Sequence, residues 1–169
     1  MLAHIDTGAV QGVEGYLVRA EVNLSSGLPS FTVVGLAQGS VREGRERVAA
    51  ALRNSGFGMP SRRITVNLAP AHIRKSGTAL DLPIAVGILV AAGVVPEVAV
   101  GSTAFLGEVG LDGRLRPVSG VLPVALCCRA AGVGSLVVPA DNAAEAALAE
   151  PLHVFGASRL DEVVDHLRG

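Results

Sequence analysis

RKSGTALDLPIAVGILVAAG, Arg74 to Gly93, sets two positive charges, a loop of small residues and an almost unbroken apolar run side by side. Three structures answer to such a stretch: a phosphate-binding loop, a serine or threonine catalytic loop, or the entry to a buried helix. A P-loop places lysine directly after glycine in G-x-x-x-x-G-K-[ST], so that backbone N–H groups wrap the phosphates and the lysine reaches the terminal ones. Lys75 is the only lysine of the chain and it follows Arg74, so no Walker A site is present. A Ser–Lys hydrolase needs a lysine delivered to the serine hydroxyl from elsewhere in the fold. Here the single candidate sits next to Ser76 in sequence, with no second element to bring a base across. A Ser–His–Asp arrangement on His72 or His153 lacks a G-x-S-x-G elbow.

The structural reading of the stretch is self-consistent. Asp81 is suited to be an N-cap, which puts Pro83 in the first turn, where its missing N–H costs nothing. Leu82, Ile84, Val86, Ile88, Leu89 and Val90 then leave no polar face, as in a helix buried all round. Gly77 allows a sharp turn from strand to helix, and the helix N-terminus, with Arg74 and Lys75 beside it, is able to attract an anion.

Working outward, 169 residues suit one domain with a real core, read as spanning 1–169. Only 3% are aromatic, so Val, Leu, Ile and Ala must build that core. The start has neither a basic n-region nor a continuous apolar run, and Leu82 to Val95 is interrupted by Pro83. Both features argue against a secretory signal and a membrane span, so the expectation is a soluble cytoplasmic protein with no membrane partner. Cys127 and Cys128 are neighbours, which suits two buried helix thiols better than a disulfide. The four histidines are scattered without ligand spacing, and no metal site is expected.

A net charge of −1 hides an asymmetry: residues 1–75 carry nine basic against five acidic side chains, and residues 76–169 five against ten. Gathered on one face, the basic excess guides an anionic partner such as nucleic acid; spread out, it describes an ordinary solvated helix face.

Periodicity supplies the elements. Ala3–Val10 and Gly15–Leu24 read as a hairpin about Gln11-Gly12, and SFTVV, Ser30–Val34, as a third strand. GSVREGRERVAAALRN, Gly39–Asn54, has helical spacing, with Ser40 as N-cap and Arg42, Arg45, Arg47 and Arg53 on exposed sides. Arg62 and Arg63 lead into a strand over Ile64–Leu68, adding positive charge near the end of that helix. The second half reads as the buried helix, a strand at Thr103–Val109 and a tight turn at Leu111-Asp112-Gly113-Arg114. It continues as a helix over Val121–Ala131, a strand at Ser135–Pro139 and a helix over Asp141–Leu148. A strand at Leu152–Phe155 precedes a last helix capped by Ser158 with Asp161. Alternation of this kind predicts a sheet with helices packed on it.

GLPSFTVVGL, VREGRERVAAALRNSGF, RITVNLAPAHIRKSGTALDLPIAVGIL and FLGEVGLDGRLRPVSGVLPVAL, in this order, resemble the N-terminal domain of the ComM/YifB family of AAA+ ATPases, often labelled magnesium chelatase-like. The resemblance covers essentially the whole chain. It implies an α+β (mixed α/β) Lon-protease-like fold, shared with the second domain of ribosomal protein S-five and the GHMP kinases. Such a fold has a mixed sheet with helices and a left-handed βαβ crossover. It also implies that an AAA+ ATPase domain, absent from this chain, follows with the sites for ATP and Mg. Full-length relatives are hexamers acting on DNA in branch migration and recombination during natural transformation. Active Lon-type loops read K-D-G-P-S-A-G and, later, G-E-V-x-L-x-G-x-x-x-P-I-G-G-L-K. On this chain the nucleophile position falls on Ala79 and the lysine position on Leu122, while Gly77, Gly107, Glu108, Gly113, Pro117 and Gly120 persist. Alkyl side chains at both dyad positions can neither attack a carbonyl nor move a proton.

The expectation is therefore a non-catalytic assembly and DNA-contact module of a ComM-like hexameric motor, with no catalytic, cofactor or metal residues of its own. Arg42, Arg45, Arg53, Arg62, Arg63, Arg74 and Lys75 are the candidate contacts to single-stranded or branched DNA. Two alternatives stand beside it: a residual Lon-type serine hydrolase or other enzyme on the same fold, and a purely structural domain packing on its own ATPase ring.

Overall fold

A computed structural model describes all residues, Met1–Gly169. Strands β1 (Leu2–Gln11) and β2 (Glu14–Ser25) form a long antiparallel hairpin, with Gly12 and Val13 between them. After β3 (Ser30–Val34) come helix α1 (Gly39–Asn54), β4 (Arg63–Ala69) and helix α2 (Asp81–Ala91). Then follow β5 (Thr103–Phe105), the small hairpin β6 (Glu108–Val109) and β7 (Leu115–Arg116), and helix α3 (Val121–Ala130). The chain closes with β8 (Ser135–Pro139), the short α4 (Ala143–Ala146), β9 (His153–Ala157) and α5 (Leu160–Arg168).

Seven strands make one sheet in the order β3-β4-β2-β1-β5-β8-β9. β2 runs antiparallel to β4 and β1, and every other neighbouring pair is parallel. Alternation along each strand divides the core in two. Ile5, Ala20, Val22, Val33, Ile64 and Val66 meet α1, α2 and α5 on one face. Ala104, Leu136 and Val138 meet α3 and α4 on the other. These two faces fix the chirality. The connections β3-α1-β4 and β8-α4-β9 both join adjacent parallel strands and step in the same direction along the sheet, yet α1 and α4 lie on opposite faces. The two crossovers must therefore be of opposite hand, so one is the left-handed kind that a right-twisted sheet disfavours.

All eleven residues of α2 are buried, as its lack of a polar face predicts. It lies on β1 and β2, with α1 and the β6–β7 hairpin packed against it. Each fully buried Leu, Ile or Val there contributes about 1.5–3 kcal/mol relative to exposure. α3 closes on the hairpin end of β1 and β2 because Gly15 leaves room: a Cβ at that position would stand 2.4 Å from the Pro123 carbonyl oxygen. Beyond α3, the same face of β1, β2, β3 and β4 carries a polar ladder, in which Arg19 pairs with Asp6 at 3.0 Å and Asn67 donates to Glu21 at 2.6 Å.

Several expected details differ. The strand foreseen over Thr103–Val109 is two short strands, because the chain leaves the main sheet after Phe105 to form the β6–β7 hairpin. α4 is shorter than the helix foreseen over Asp141–Leu148. None of the three expected caps forms. Ser40 lies inside α1 and its hydroxyl accepts from the Gly77 N–H at 2.8 Å. Asp81 is the first residue of α2 and turns its carboxylate to Arg47. Ser158 precedes Arg159 and donates its N–H to Glu162. Of the two thiols only Cys128 is buried, for Cys127 faces partly outward from α3.

Candidate functional site

Helix α1 separates its arginines by phase. Val41, Gly44, Val48, Ala51 and Leu52 form its buried stripe. Arg45 and Arg53 are both exposed and lie at the two ends of an i, i+4, i+8 row with Ala49 between them, which follows one edge of the helix. The chain then turns through Phe57–Ser61 and enters β4, where alternation sends Arg62 to the side of Ile64 and Arg63 to the opposite side. As a result Arg45, Arg53 and Arg62 line one open groove of about 550 Å³ between α1, β3 and the Met59–Arg62 segment. Phe31, Ala49, Met59, Pro60 and Ile64 supply its apolar part, and Glu46 is its only carboxylate.

The groove is partly preset. Arg45 donates through Nε to the Arg42 carbonyl at 2.9 Å and through Nη1 to the Phe31 carbonyl at 3.1 Å. Its guanidinium is thus aimed from α1 toward β3 while keeping further N–H donors free. The five ion pairs of the molecule use Arg19, Arg47, Arg114, Arg159 and His4. Arg45, Arg53 and Arg62 therefore hold their charge with no carboxylate within salt-bridge reach.

The remaining expected contacts scatter. Arg42 is exposed on α1 but outside the groove. Arg63 lies across the sheet from it, its guanidinium over the Gly27 turn. Arg74 is exposed on the loop before α2, where its carbonyl accepts from the Tyr16 hydroxyl at 3.1 Å. Lys75 is a correction: it is fully buried, and its ammonium donates to the carbonyls of Gly35, at 2.8 Å, and Pro70. Its backbone also pairs with the Leu36–Gln38 strand edge, through Lys75 N–H to Leu36 and Gln38 N–H to Lys75. Burial without a carboxylate lowers its pKa from the ordinary lysine value. An ammonium committed to two backbone carbonyls is turned away from the solvent side of the loop. The only other amine is the N-terminus, so amine-reactive labelling reads Lys75 cleanly. In native buffer the N-terminus should label and Lys75 should stay unmodified until denaturant is added, as peptide mass mapping will report.

Arg47 also departs from expectation. Rather than decorating an exposed side, it reaches Asp81 with Nε at 2.7 Å and Nη2 at 3.1 Å, and its Nη2 also donates to the Ser40 carbonyl. Its position, three residues after Gly44 and four before Ala51 on the buried stripe, is the sequence signal that marks it. Phe31 and Met59 carried no such signal, since their meeting depends on how β3 and the post-helix turn are brought together.

A second concavity, about 770 Å³, lies around the opening loop. Ser76–Leu80 line one side and Pro117–Gly120, Pro123 and Val124 another, so the two segments that resemble Lon-type motifs do converge. Ala79 lines the cleft. Leu122 does not, and stands instead beside Gly15, Pro123 and Leu126 on the adjoining surface. No carboxylate, imidazole or amine is among the lining residues, so the hydroxyls of Ser76, Thr78 and Ser119 have no base within the cleft.

Comparison with known proteins agrees with this architecture. The family model described as subunit ChlI of Mg-chelatase matches residues 20–142. The competence protein ComM of Haemophilus influenzae is 42% identical over 168 residues, covering 99% of this chain and 33% of that protein. The uncharacterized protein YifB of Escherichia coli is 36% identical over 168 residues, covering 99% of this chain and 33% of that one. Lon protease 2 of Bacillus subtilis is 27% identical over 125 residues, 74% of this chain and 21% of the protease. The chain thus spans about a third of the length of its ComM and YifB relatives.

Proposed function

Because the chain belongs to the magnesium chelatase-like ComM/YifB family, we propose that it is a non-catalytic assembly and DNA-contact module of a ComM-like hexameric AAA+ DNA motor. In this reading ATP and Mg²⁺ act in an ATPase portion outside these residues. The present module meets DNA in the cytoplasm while the ring moves it, as recombination and natural transformation require.

One observation carries the DNA-contact reading: the convergence of Arg45, Arg53 and Arg62 in a single groove without ion-pair partners. Unneutralised guanidinium groups placed together are costly by mutual repulsion, and a phosphate chain relieves that cost while releasing its counterions. The non-catalytic reading is supported by the base-free cleft at Ala79.

Fluorescence anisotropy across a salt series tests the proposal. DNA affinity should fall steeply with salt, and Arg53→Ala and Arg62→Ala should each weaken binding at low salt and reduce the slope of log K against log[salt] by about 0.7–0.9. Variants with unchanged slopes would show the arginines to be something other than phosphate contacts. Reproducible peptide turnover by the wild-type protein would overturn the non-catalytic reading.

A further inference from the structure

We infer that the α1–β3 groove is a seat for an unstacked base of single-stranded DNA, with Phe31 and Met59 taking the base and Arg53 and Arg62 the flanking phosphates. The inference rests on the DNA-contact reading and narrows it. Shape is the first argument. Duplex DNA presents a convex ridge of phosphates and keeps its bases stacked inside, so a protein reads bases in its grooves by inserting a helix or ribbon. Here the arginines line a concavity of about 550 Å³, which accepts a group that protrudes from the nucleic acid.

Composition is the second argument. A site for phosphate alone has no use for apolar walls, yet Phe31, Met59, Pro60 and Ile64 line the same groove as the three arginines. Phe31 is a lining residue of the groove whose half-buried side chain also packs against the main core, and its carbonyl holds Arg45. An aromatic face beside arginines is the arrangement on which single-stranded DNA stacks, without hydrogen-bond readout and so with little sequence preference. Met59 adds an adaptable, polarisable wall.

The test measures anisotropy of the whole 169-residue chain with three labelled probes: a short oligo(dT), an abasic strand of equal length, and a duplex of equal length. Oligo(dT) should bind about tenfold more tightly than either other probe, the value of roughly one stacked base. Phe31→Leu, which keeps apolar bulk and the backbone carbonyl, should bring oligo(dT) to the abasic level and leave abasic binding unchanged. Met59→Ala should act in the same direction, and Arg53→Gln or Arg62→Gln should weaken all three probes. Equal affinities for oligo(dT) and the abasic strand, tighter binding of the duplex, or indifference to Phe31→Leu would overturn the base seat. Arginine sensitivity in those same data would leave the DNA-contact reading standing. Absence of binding by every probe at low salt would remove both.

Discussion

Asp81→Ala should destabilise the protein by about 3 kcal/mol, the lower end of the cost of breaking a buried ion pair, because the Arg47 guanidinium left without its counter-charge is only partly buried. The Asp81 side chain is 2% exposed and accepts two hydrogen bonds from Arg47 and one from the Val109 N–H. One carboxylate thereby joins α1, α2 and the β6–β7 hairpin. Gly44 completes the arrangement, since a Cβ there would stand 2.4 Å from Asp81 Oδ1. Arg47→Ala should cost a similar amount. The pair Arg47→Met with Asp81→Leu should recover most of the loss, because an apolar pair of similar volume removes the desolvation penalty along with the charges. Urea midpoints at unchanged m-value give these numbers directly.

The same carboxylate has a pH signature. Burial pushes its pKa up to about 6, outweighing the opposing pull of Arg47. Between about pH 4, where a free aspartate titrates, and about 6, the folded protein holds a proton that the unfolded chain releases. Its contribution to stability is therefore full below about pH 4 and lost as the pH rises through 6. Asp81→Asn should remove this component from the stability profile, and an unchanged profile would refute it.

Lys75→Ala is expected to cost about 2–5 kcal/mol for the lost buried volume. Loss of the ammonium's hydrogen bonds to the Gly35 and Pro70 carbonyls adds to this. The ammonium binds Gly35 to Pro70, and with the backbone pairing at Leu36–Gln38 it fastens the loop before α2 onto the start of α1. Lys75→Met restores the volume but not the donors, so it should lie between wild type and alanine in chemical denaturation. Its salt slope in DNA binding should match the wild type, since a buried ammonium touches no phosphate. A reduced slope in a folded Lys75→Met protein would contradict that placement.

The elements were legible because their signals are local. α1 and β8 occur with the boundaries that periodicity predicts, and the Asp112-Gly113 turn forms its hairpin. Where the reading missed, a distant partner outcompeted a local one. Asp81 had a capping role open to it, and a guanidinium from α1 claimed its carboxylate. Ser40 likewise serves the N–H of Gly77, 37 residues away in sequence. Lys75 reads as exposed beside Arg74, but its bridge to Ala37, a contact 38 residues away in sequence, turns it inward while Arg74 stays exposed.

By itself the sequence determined the succession of strands and helices and the all-round burial of α2. Each of these follows from residue identity and short-range spacing. Only the tertiary structure decided which charges act together. It gathered Arg45, Arg53 and Arg62 around Phe31 and Met59, sent Arg63 across the sheet, and drew Arg47 and Lys75 inward. A charge's environment is set by groups tens of residues away along the chain, and the sheet order that brings those groups near is a property of no single stretch.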